Sequence, residues 1–375
     1  MNGRISGVLN TSKSGLWTPE EHLYDVNGIR TGVTPRYGSY ANPIICGVQD
    51  TGTRSTDGAG LRHVTAASPL QAATLDTAYF DEHPLFQFDD WTDASGNVFC
   101  KIPIAYWWRG NLPDVVDGTT PRWTMLMSTA PGTVDIGGTS CKFTASPGAF
   151  KRGGAWMNKF YYGKYRGYNA GSNKVGSKSG QTHWASVSFE NFQTYCANNG
   201  TGYHMVSLQE WHEILGRAVI EKKTFQLVPE ASRQNAAICK YRGIEEFAYH
   251  GSTYAEWMDG ARTDASGKYE LWTEAGGDYS STGVACPQDS TSEATWYNQG
   301  LVTGGLFDHI FLASSMGAAS TSFIPDYSGR SSGVVGRICF SGFNSGYASS
   351  GAFNSGFDRS PSDVNAIIGS RLAKW

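Results

Sequence analysis

The stretch Ser207–Val219, SLQEWHEILGRAV, says most about the fold because it combines a helix start with a continuous apolar stripe. Ser207 and Glu210 stand at capping-box spacing, in which the Ser side chain accepts from the Glu amide and the Glu side chain reaches back. Behind them, apolar residues recur at intervals of three and four: Leu208, Trp211, Ile214, Leu215, Ala218 and Val219. This pattern predicts a core-facing helix in which Trp211 is buried and does not serve a ligand.

The residues on either side of this helix predict an α+β protein. A second helix is predicted over residues 188–198, where apolar side chains fall on one side. Residues 98–108 and 159–165 are rich in aromatic side chains and predict strands, the first at an edge or bend because it contains Pro103. After Gly243, helical periodicity gives way to Gly, Ser and aromatic residues, which predicts short strands and long loops.

The first 80 or so residues differ in composition from the rest of the chain. They are rich in Gly, Thr, Ser, Asn and Pro, with short apolar runs, which is typical of strands and loops. A chain of 375 residues is long enough for one large domain or two. We expect residues 1–90 to form a small β-rich segment for attachment or oligomerisation, and residues 91–375 to form the main domain.

Charge and composition exclude several classes of protein. The chain carries 30 Lys and Arg against 33 Asp and Glu, and 13% of its residues are aromatic. Disordered chains are poor in aromatic residues and dedicated nucleic-acid binders are basic, so we expect a globular protein without a nucleic-acid partner. Since no stretch approaches the roughly 18 apolar residues that span a membrane, we expect no membrane insertion. The first residues lack the apolar core of a signal peptide, so we expect no recognisable export signal.

Sequence signatures of catalysis are weak. The chain contains no GxSxG, HExxH, P-loop or GxGxxG motif. No CxxC pair occurs among the seven cysteines, which we interpret as buried thiols. Glu256 and Asp259 would be a pair of carboxylates at i and i+3, but the sequence offers them no acid or base partner. We favour a structural role, in which the Glu bonds to backbone amides or an arginine and the Asp fixes a turn with Gly260.

The C-terminal residues 329–373 are the most informative about function. They contain a repeat at a spacing of ten residues, FNSGY at 343–347 and FNSGF at 353–357. Asn-Ser-Gly triplets form turns, so one interpretation is a pair of similar hairpin turns. Tyr, Phe, Ser, Gly and Asn are also the residues of binding surfaces, because aromatic rings give contact area at low entropy cost and small polar residues adapt their hydrogen bonds.

Several motifs resemble the variable proteins of diversity-generating retroelements, over roughly residues 95–375. IIGSRLA at 367–373 resembles the constant IGxRLA ending of that family, and SPSDVN at 360–365 is similar to its small-Pro-Ser-Asn run. GIEEF at 243–247, followed by AEWMDG at 255–260, resembles an element shared with formylglycine-generating-enzyme-like folds. The resemblance implies a C-type lectin-like domain with two main helices, short antiparallel strands and long loops, whose C-terminal variable segment binds a ligand.

The same resemblance implies that a reverse transcriptase miscopies template adenines, so that template Asn codons diversify. Randomising the first two letters of AAC or AAT reaches fifteen amino acids, but never Lys, Glu, Gln, Met or Trp. Those five types occupy 56 of the 375 positions, yet none occurs among the 57 residues 317–373, where about eight or nine would be expected. A Gly- and Ser-rich loop would also be depleted in them, but their absence favours diversification.

The resemblance assigns ligand contact to surface-displayed positions in a variable segment at about 336–368. These positions are Phe340, Gly342, Phe343, Tyr347, Asn354, Gly356, Asp358, Arg359, Asp363, Val364 and Ile367. It assigns scaffold roles to three residues of the ending. Gly369 would allow close backbone approach, Leu372 would enter the core, and Arg371 would bond to carbonyls or a carboxylate.

The sequence departs from the family pattern in two places. Members often begin the variable segment with Arg-Gly-Gly-Ser-Trp, whereas this chain has GRICF at 336–340, which leaves the start of the segment open by several residues. The oxidase relatives also need two C-terminal cysteines, and only Cys339 is available. A formylglycine-generating activity is therefore not expected.

The leading hypothesis is a non-enzymatic, receptor-binding tip of a phage or archaeal-virus fibre, or a cell-surface equivalent. Its partner would be a host surface protein or a glycan receptor. No cofactor is expected, although a structural cation and a homo-oligomer are compatible with this role. The alternative is a glycan-binding, lectin-like adhesin with ordinary loops, since aromatic stacking and Asn or Asp hydrogen bonds also suit sugars. An enzyme of the formylglycine-generating type is the third interpretation.

Overall fold

The structure is a computed structural model of the 375-residue chain. It describes residues 43–66, 69–227, 240–247, 255–288, 295, 297–331, 336–342 and 352–375. Within these ranges the protein is a mixed α+β structure that contains more strand than helix. The predicted α+β class is therefore confirmed.

The described residues form helices, single 3-10 turns and short strands. The helices are α1 Thr77–Glu82, α2 Pro147–Phe150, α3 Phe189–Ala197 and α4 Leu208–Lys222, and the 3-10 turns are Pro84–Phe86, Gly305–His309 and Ala319–Thr321. The first strands are β1 Ile45–Ser55, β2 Gly58–Thr65, β3 Gln71–Ala72, β4 Asp90–Thr92, β5 Val98–Pro103, β6 Tyr106–Pro113, β7 Pro121–Ser128, β8 Gly132–Ile136, β9 Thr139–Phe143, β10 Lys151–Arg152, β11 Ala155–Trp156 and β12 Lys159–Gly163. The later strands are β13 Tyr168–Asn169, β14 Val175–Gly176, β15 Tyr203–Met205, β16 Ala255–Thr263, β17 Lys268–Trp272, β18 Tyr279–Ala285, β19 Tyr297–Leu301, β20 Ala313–Gly317, β21 Ser328–Gly329, β22 Ile338–Gly342, β23 Ser355–Arg359, β24 Ile368–Gly369 and β25 Leu372–Lys374.

Helix α4 lies at the centre of the largest core cluster and begins at the predicted capping box. The Ser207 side chain accepts from the Glu210 amide, and the Glu210 side chain accepts from the Ser207 amide at 2.8 Å. Trp211 is 3% exposed, which confirms the prediction of a core helix. The helix is buried on more sides than its apolar stripe predicts, because its polar side chains find partners inside the protein. Gln209, for example, donates to the Gly260 carbonyl at 2.8 Å.

The first sheet joins the N-terminal strands to the rest of the chain. Its strand order is β3-β2-β1-β7-β6. Strand β1 pairs antiparallel with β7, from Ile45 opposite Ser128 to Gln49 opposite Thr124. Backbone pairing therefore crosses the boundary predicted near residue 90, and residues 43–66 belong to the same sheet as β6 and β7. The predicted role of the N-terminal segment in attachment stays a prediction, because residues 1–42 lie outside the described residues.

The second sheet has the order β15-β25-β12-β5-β4. The strand predicted over 98–108 forms as two strands in different sheets, β5 beside β12 and β6 beside β7. The break follows Pro103, which has no N–H group to continue a ladder. Strand β12 and helix α3 confirm the elements predicted at 159–165 and 188–198. Strand β25 lies between β12 and β15, where Ala373 is opposite both Tyr162 and His204.

The third sheet holds both ends of the predicted variable segment. Its order is β18-β17-β16-β22-β23-β21, and β24 pairs with β16 outside that path. Strand β22, at the start of the segment, runs antiparallel to β16 with Phe340 opposite Trp257. Strand β24, at the end of the segment, runs parallel to β16 with Gly369 opposite Glu256. The two ends therefore meet on one strand, and that strand carries the AEWMDG motif.

Candidate ligand-binding site

Arg371 fixes the end of the chain to three other segments. Its guanidinium is buried, and Nε donates to Glu256 Oε1 on β16 at 2.9 Å. The other N–H groups donate to four backbone carbonyls at 2.9 or 3.3 Å: Gly163, Lys164, Glu245 and Glu246. A buried cation is strongly unfavourable unless it is paired and hydrogen-bonded, and here all five donors of the guanidinium have acceptors. The prediction was of bonds to carbonyls or a carboxylate, and the structure contains both kinds.

Gly369 and Leu372 also take their predicted scaffold positions. A Cβ on Gly369 would overlap the imidazole ring of His183 and lie 2.7 Å from the Trp184 carbonyl oxygen. Only a residue without a side chain allows the backbone to approach this closely. Leu372 is fully buried in the core cluster that includes Trp257. The ending of the chain therefore supports the fold and does not face solvent.

The structure places Glu256 and Asp259 in structural roles. Glu256 is 4% exposed and binds Arg371, so it is removed from any solvent-borne substrate. Asp259 Oδ2 accepts from Gln193 Nε2 at 2.7 Å, and Oδ1 accepts from the Tyr279 hydroxyl at 2.6 Å. Burial raises the pKa of Asp259, and the hydrogen bonds from these two side chains oppose that rise. Both carboxylates are thus occupied within the protein.

The cysteines of the described residues are buried thiols, as interpreted from their spacing. Cys339 lies in β22 with no exposed surface, and burial raises the pKa of its thiol well above the ordinary value. The thiolate is the reactive form of cysteine, so a buried, protonated thiol is a poor nucleophile. This environment gives Cys339 no support for a catalytic role.

Two predicted contact positions, Phe340 and Gly356, are cross-strand partners between β22 and β23. A Cβ on Gly356 would lie 2.6 Å from Phe340 Cε1, so the ring occupies the space above the glycine. The same ring makes an edge contact with Trp257 at a centroid distance of 6.4 Å. Gly356 is buried, which differs from the expected surface display because Phe340 covers it. Asn354 is also buried, at 6% exposure, and differs from the expectation in the same way.

The Phe340–Gly356 contact gives a first prediction. Replacing Gly356 by Ala should lower the free energy of unfolding by about 1–3 kcal/mol, because the new methyl group overpacks against the ring. In a Phe340→Ala background the same change should cost less than about 0.5 kcal/mol. Urea unfolding of the four proteins in this double-mutant cycle measures the coupling. Additive losses would contradict the contact.

The remaining predicted positions lie nearer the surface. Val364 is 63% exposed, and the side chains of Arg359 and Asp358 are 42% and 28% exposed. Asp363 is half-buried and accepts from the Ser360 amide at 2.8 Å. Gly342 and Ile367, the other two described positions, take part in backbone pairing with β16. Gly342 is opposite Ala255, and the Ile367 carbonyl accepts from the Ala255 amide at 2.9 Å. Phe343 and Tyr347 lie outside the described residues.

A surface groove of about 610 Å³ lies between α3, the end of β16 and the start of β22. One wall comes from outside the predicted variable segment and includes Glu190, Gln193, Arg262, Asp264, Glu270 and Tyr279. The other wall comes from the segment itself: Gly336, Arg337, Ile338 and Pro361. None of the eleven predicted positions lines this groove, but Arg359 is paired across the strands with Ile338 at its rim. The groove is thus lined by residues from inside and from outside the predicted variable segment.

Arg262 and Tyr279 form a planar surface in the wall outside the predicted variable segment. This pair was not predicted from the sequence. The Arg262 Cζ lies 4.1 Å from the centre of the Tyr279 ring, and its Nε donates to Glu270 Oε2 at 2.6 Å. Such a stack contributes about 0.5–1 kcal/mol at an exposed site and offers flat polar surface to a ligand. The turn-forming DASG at 264–267 signals a hairpin, which would have placed Arg262 opposite Glu270.

Comparison with known proteins adds no identification. No family model matches the chain, and no curated protein matches it either.

Among the described helices, none combines the length and apolar character needed to cross a membrane. Within the same ranges, His, Cys, Asp and Glu form no group of three or more suited to a metal ion. The described residues thus show a strand-rich α+β protein with a surface groove that its C-terminal segment helps to line.

Proposed function

We propose that the protein is a non-enzymatic ligand-binding protein with a C-type lectin-like fold, whose residues 336–368 are diversified by a retroelement. The observation that carries the proposal is the way this segment is held. Strands β22 and β24 attach its two ends to β16, and Arg371 ties the following residues to Glu256. Because these attachments use backbone pairing and one buried ion pair, exposed side chains between them are free to change.

Two further features support diversification and binding. Residues 317–373 lack the five amino acids that mutated Asn codons cannot encode. The side chains of Asp358, Arg359 and Val364, which are half-buried to exposed, lie in the same segment that supplies one wall of the groove. The proposed ligand is a host surface protein or glycan receptor, and the proposed location is a virion fibre or a cell surface. Multivalent display would raise the affinity of such a shallow site.

Deep sequencing of the 3′ end of the gene, from a growing population of its host element, tests diversification. We expect substitutions to concentrate between codons 336 and 368 and to fall at adenine-derived positions, with a near-copy of the segment beside a reverse-transcriptase gene. An invariant segment without a template copy would contradict the proposal. Binding to a glycan array would then support a lectin-like adhesin with fixed loops.

A triple substitution tests the binding surface. Replacing Asp358, Arg359 and Val364 together by Ala should abolish attachment to host cells, while Tm stays within about 3 °C because these side chains carry little of the core. The matched control replaces three exposed residues outside the C-terminal segment by Ala: Asp57, Val116 and Lys142. We expect the control to keep both attachment and Tm. Full attachment by the first variant would remove these residues from the site.

A further inference from the structure

Arg109, His212 and His309 form a buried polar cluster, in which Arg109 and His212 contact Phe311 and the charge of Arg109 acts on both histidines. All three are at most 7% exposed, and they come from β6, from α4 and from the turn Gly305–His309. Arg109 and Trp107 are two residues apart in β6, so their side chains lie on the same face of the strand. Trp107 Nε1 donates to Glu213 on α4 at 2.9 Å. Arg109 therefore points towards α4. Its Cζ lies 5.1 Å from the centre of the Phe311 ring, and its Nη2 donates to the Phe307 carbonyl.

The unpaired atoms of this cluster are N–H donors. Arg109 Nε and Nη1 have no hydrogen-bond partner within the described ranges. His212 Nδ1 accepts from the Phe311 amide at 3.0 Å, so the proton of the neutral ring is on Nε2, which also has no partner there. His309 Nε2 lies 3.2 Å from the Thr144 hydroxyl, and when that hydroxyl donates, the ring proton is on the unpartnered Nδ1. The cluster thus offers donors from three side chains.

The charge of Arg109 is not compensated by an ion pair among the described residues. Burial lowers the pKa of Arg109 to about 10, which still leaves it charged at neutral pH, and Asp308 opposes that fall. Asp308, however, accepts from the Gly304 amide at 2.8 Å. Glu213, on α4, binds Arg217 and Trp107. Burial and the Arg109 charge lower the pKa values of His212 and His309 to about 3, so both rings are neutral donors at pH 7.

We propose that Arg109, His212 and His309 bind a small monovalent anion of the halide class inside the fold. A buried guanidinium without a counter-charge is strongly unfavourable, and an anion would neutralise it. An anion also accepts from every donor at once, whereas a water molecule would need acceptors that this cluster does not supply. The Phe311 ring, which contacts both Arg109 and His212, favours a weakly hydrated ion over phosphate or sulfate. The ion would hold together β6, α4 and the Gly305–His309 turn.

Bromide tests the site in the intact protein. Crystals grown in sodium bromide should show an anomalous peak beside Arg109 and the two histidines. In solution, exchanging gluconate for bromide at constant ionic strength should raise Tm by about 2–5 °C, because the ion binds the folded state and not the unfolded chain. The Arg109→Met variant should lose this shift. The control Arg262→Met, which removes an exposed guanidinium, should keep it.

The outcomes separate the proposal from its alternatives. If Arg109→Met does not fold, His309→Asn provides the second variant, and its bromide shift should fall by at least half. A bromide shift of the same size in both Arg variants would mean a general salt effect and would overturn the proposal. Crystals in which water occupies the position, with no anomalous peak, would overturn it as well.

Discussion

Replacing Arg371 by Met is expected to lower the free energy of unfolding by about 3–5 kcal/mol, a large part of the stability of a typical domain. The substitution leaves Glu256 buried without its strongest partner and leaves four backbone carbonyls without their donors. Each buried acceptor that loses its donor adds a desolvation cost. Urea unfolding of the variant and the parent protein measures the loss.

Two further variants make this prediction specific. Arg359→Met removes an arginine that is 42% exposed and whose Nε lies 3.9 Å from Asp358 Oδ1, a weak surface ion pair. It should therefore change the free energy of unfolding by less than about 0.5 kcal/mol. Arg371→Lys keeps the charge but cannot supply five donors in a planar fork, so it should still lose more than about 2 kcal/mol. A loss below about 1 kcal/mol in Arg371→Met would show that Arg371 does not anchor the segment.

The contrast between Arg371 and Arg359 shows how this fold could tolerate the proposed variable surface. The two residues lie twelve positions apart in one C-terminal segment, but their environments differ completely. Arg371 has every donor bonded within the protein, whereas the side chain of Arg359, which is opposite Ile338 on the neighbouring strand, is 42% exposed. Under the proposed function, selection for a stable fold would act on Arg371 and leave Arg359 open to selection for binding. The Phe340–Gly356 contact lies between these extremes, because Gly356 is buried, Phe340 is partly buried, and a change at either position constrains the other.

Local features of the fold could be predicted from sequence because they depend on neighbours in the chain. The capping box at Ser207 and Glu210 and the apolar stripe behind it are local, and α4 begins where they predict. The scaffold roles of Gly369 and Arg371 came from the resemblance and not from spacing. The partner of Arg371 was left open as a carbonyl or a carboxylate, since Glu256 is 115 residues away in sequence.

Features that depend on distant pairing were missed. Residues 98–108 look like one strand, but Pro103 separates two strands whose partners, β12 and β7, lie in different sheets. The surface display expected of Gly356 was wrong because a side chain on the neighbouring strand covers it. Likewise, nothing in the local sequence around Arg109 shows that His212 and His309 converge on it. These contacts follow from the tertiary arrangement of sheets around α4.

Replacing Arg217 by Met is the second change with a large expected effect, at about 3–5 kcal/mol near pH 8. Arg217 is fully buried in α4 and donates to Glu213 Oε2 at 2.9 Å. It also bonds to the carbonyls of Leu85 at 2.9 Å and Pro103 at 2.6 Å, so it ties the helix to two preceding segments. The variant would leave the Glu213 carboxylate buried without a cation.

The loss in Arg217→Met should depend on pH. Burial raises the pKa of Glu213 to about 7 even beside Arg217, and removing the arginine raises it further. A carboxyl whose pKa is raised on folding stabilises the protein most below its ordinary pKa, and this contribution is lost as pH rises through the folded value. The variant should therefore be less impaired at pH 5 than at pH 8.

A double variant separates the charge of Glu213 from the hydrogen bonds of Arg217. In Glu213→Gln with Arg217→Met, the amide oxygen can still accept from Trp107 Nε1, but no buried charge remains. We expect this protein to recover about 1–2 kcal/mol at pH 8 relative to Arg217→Met and to lose most of the pH dependence. Urea unfolding at pH 5, 6.5 and 8 measures both effects. A loss in Arg217→Met that is independent of pH, with no recovery in the double variant, would mean that the carbonyl bonds of Arg217 matter and its charge does not.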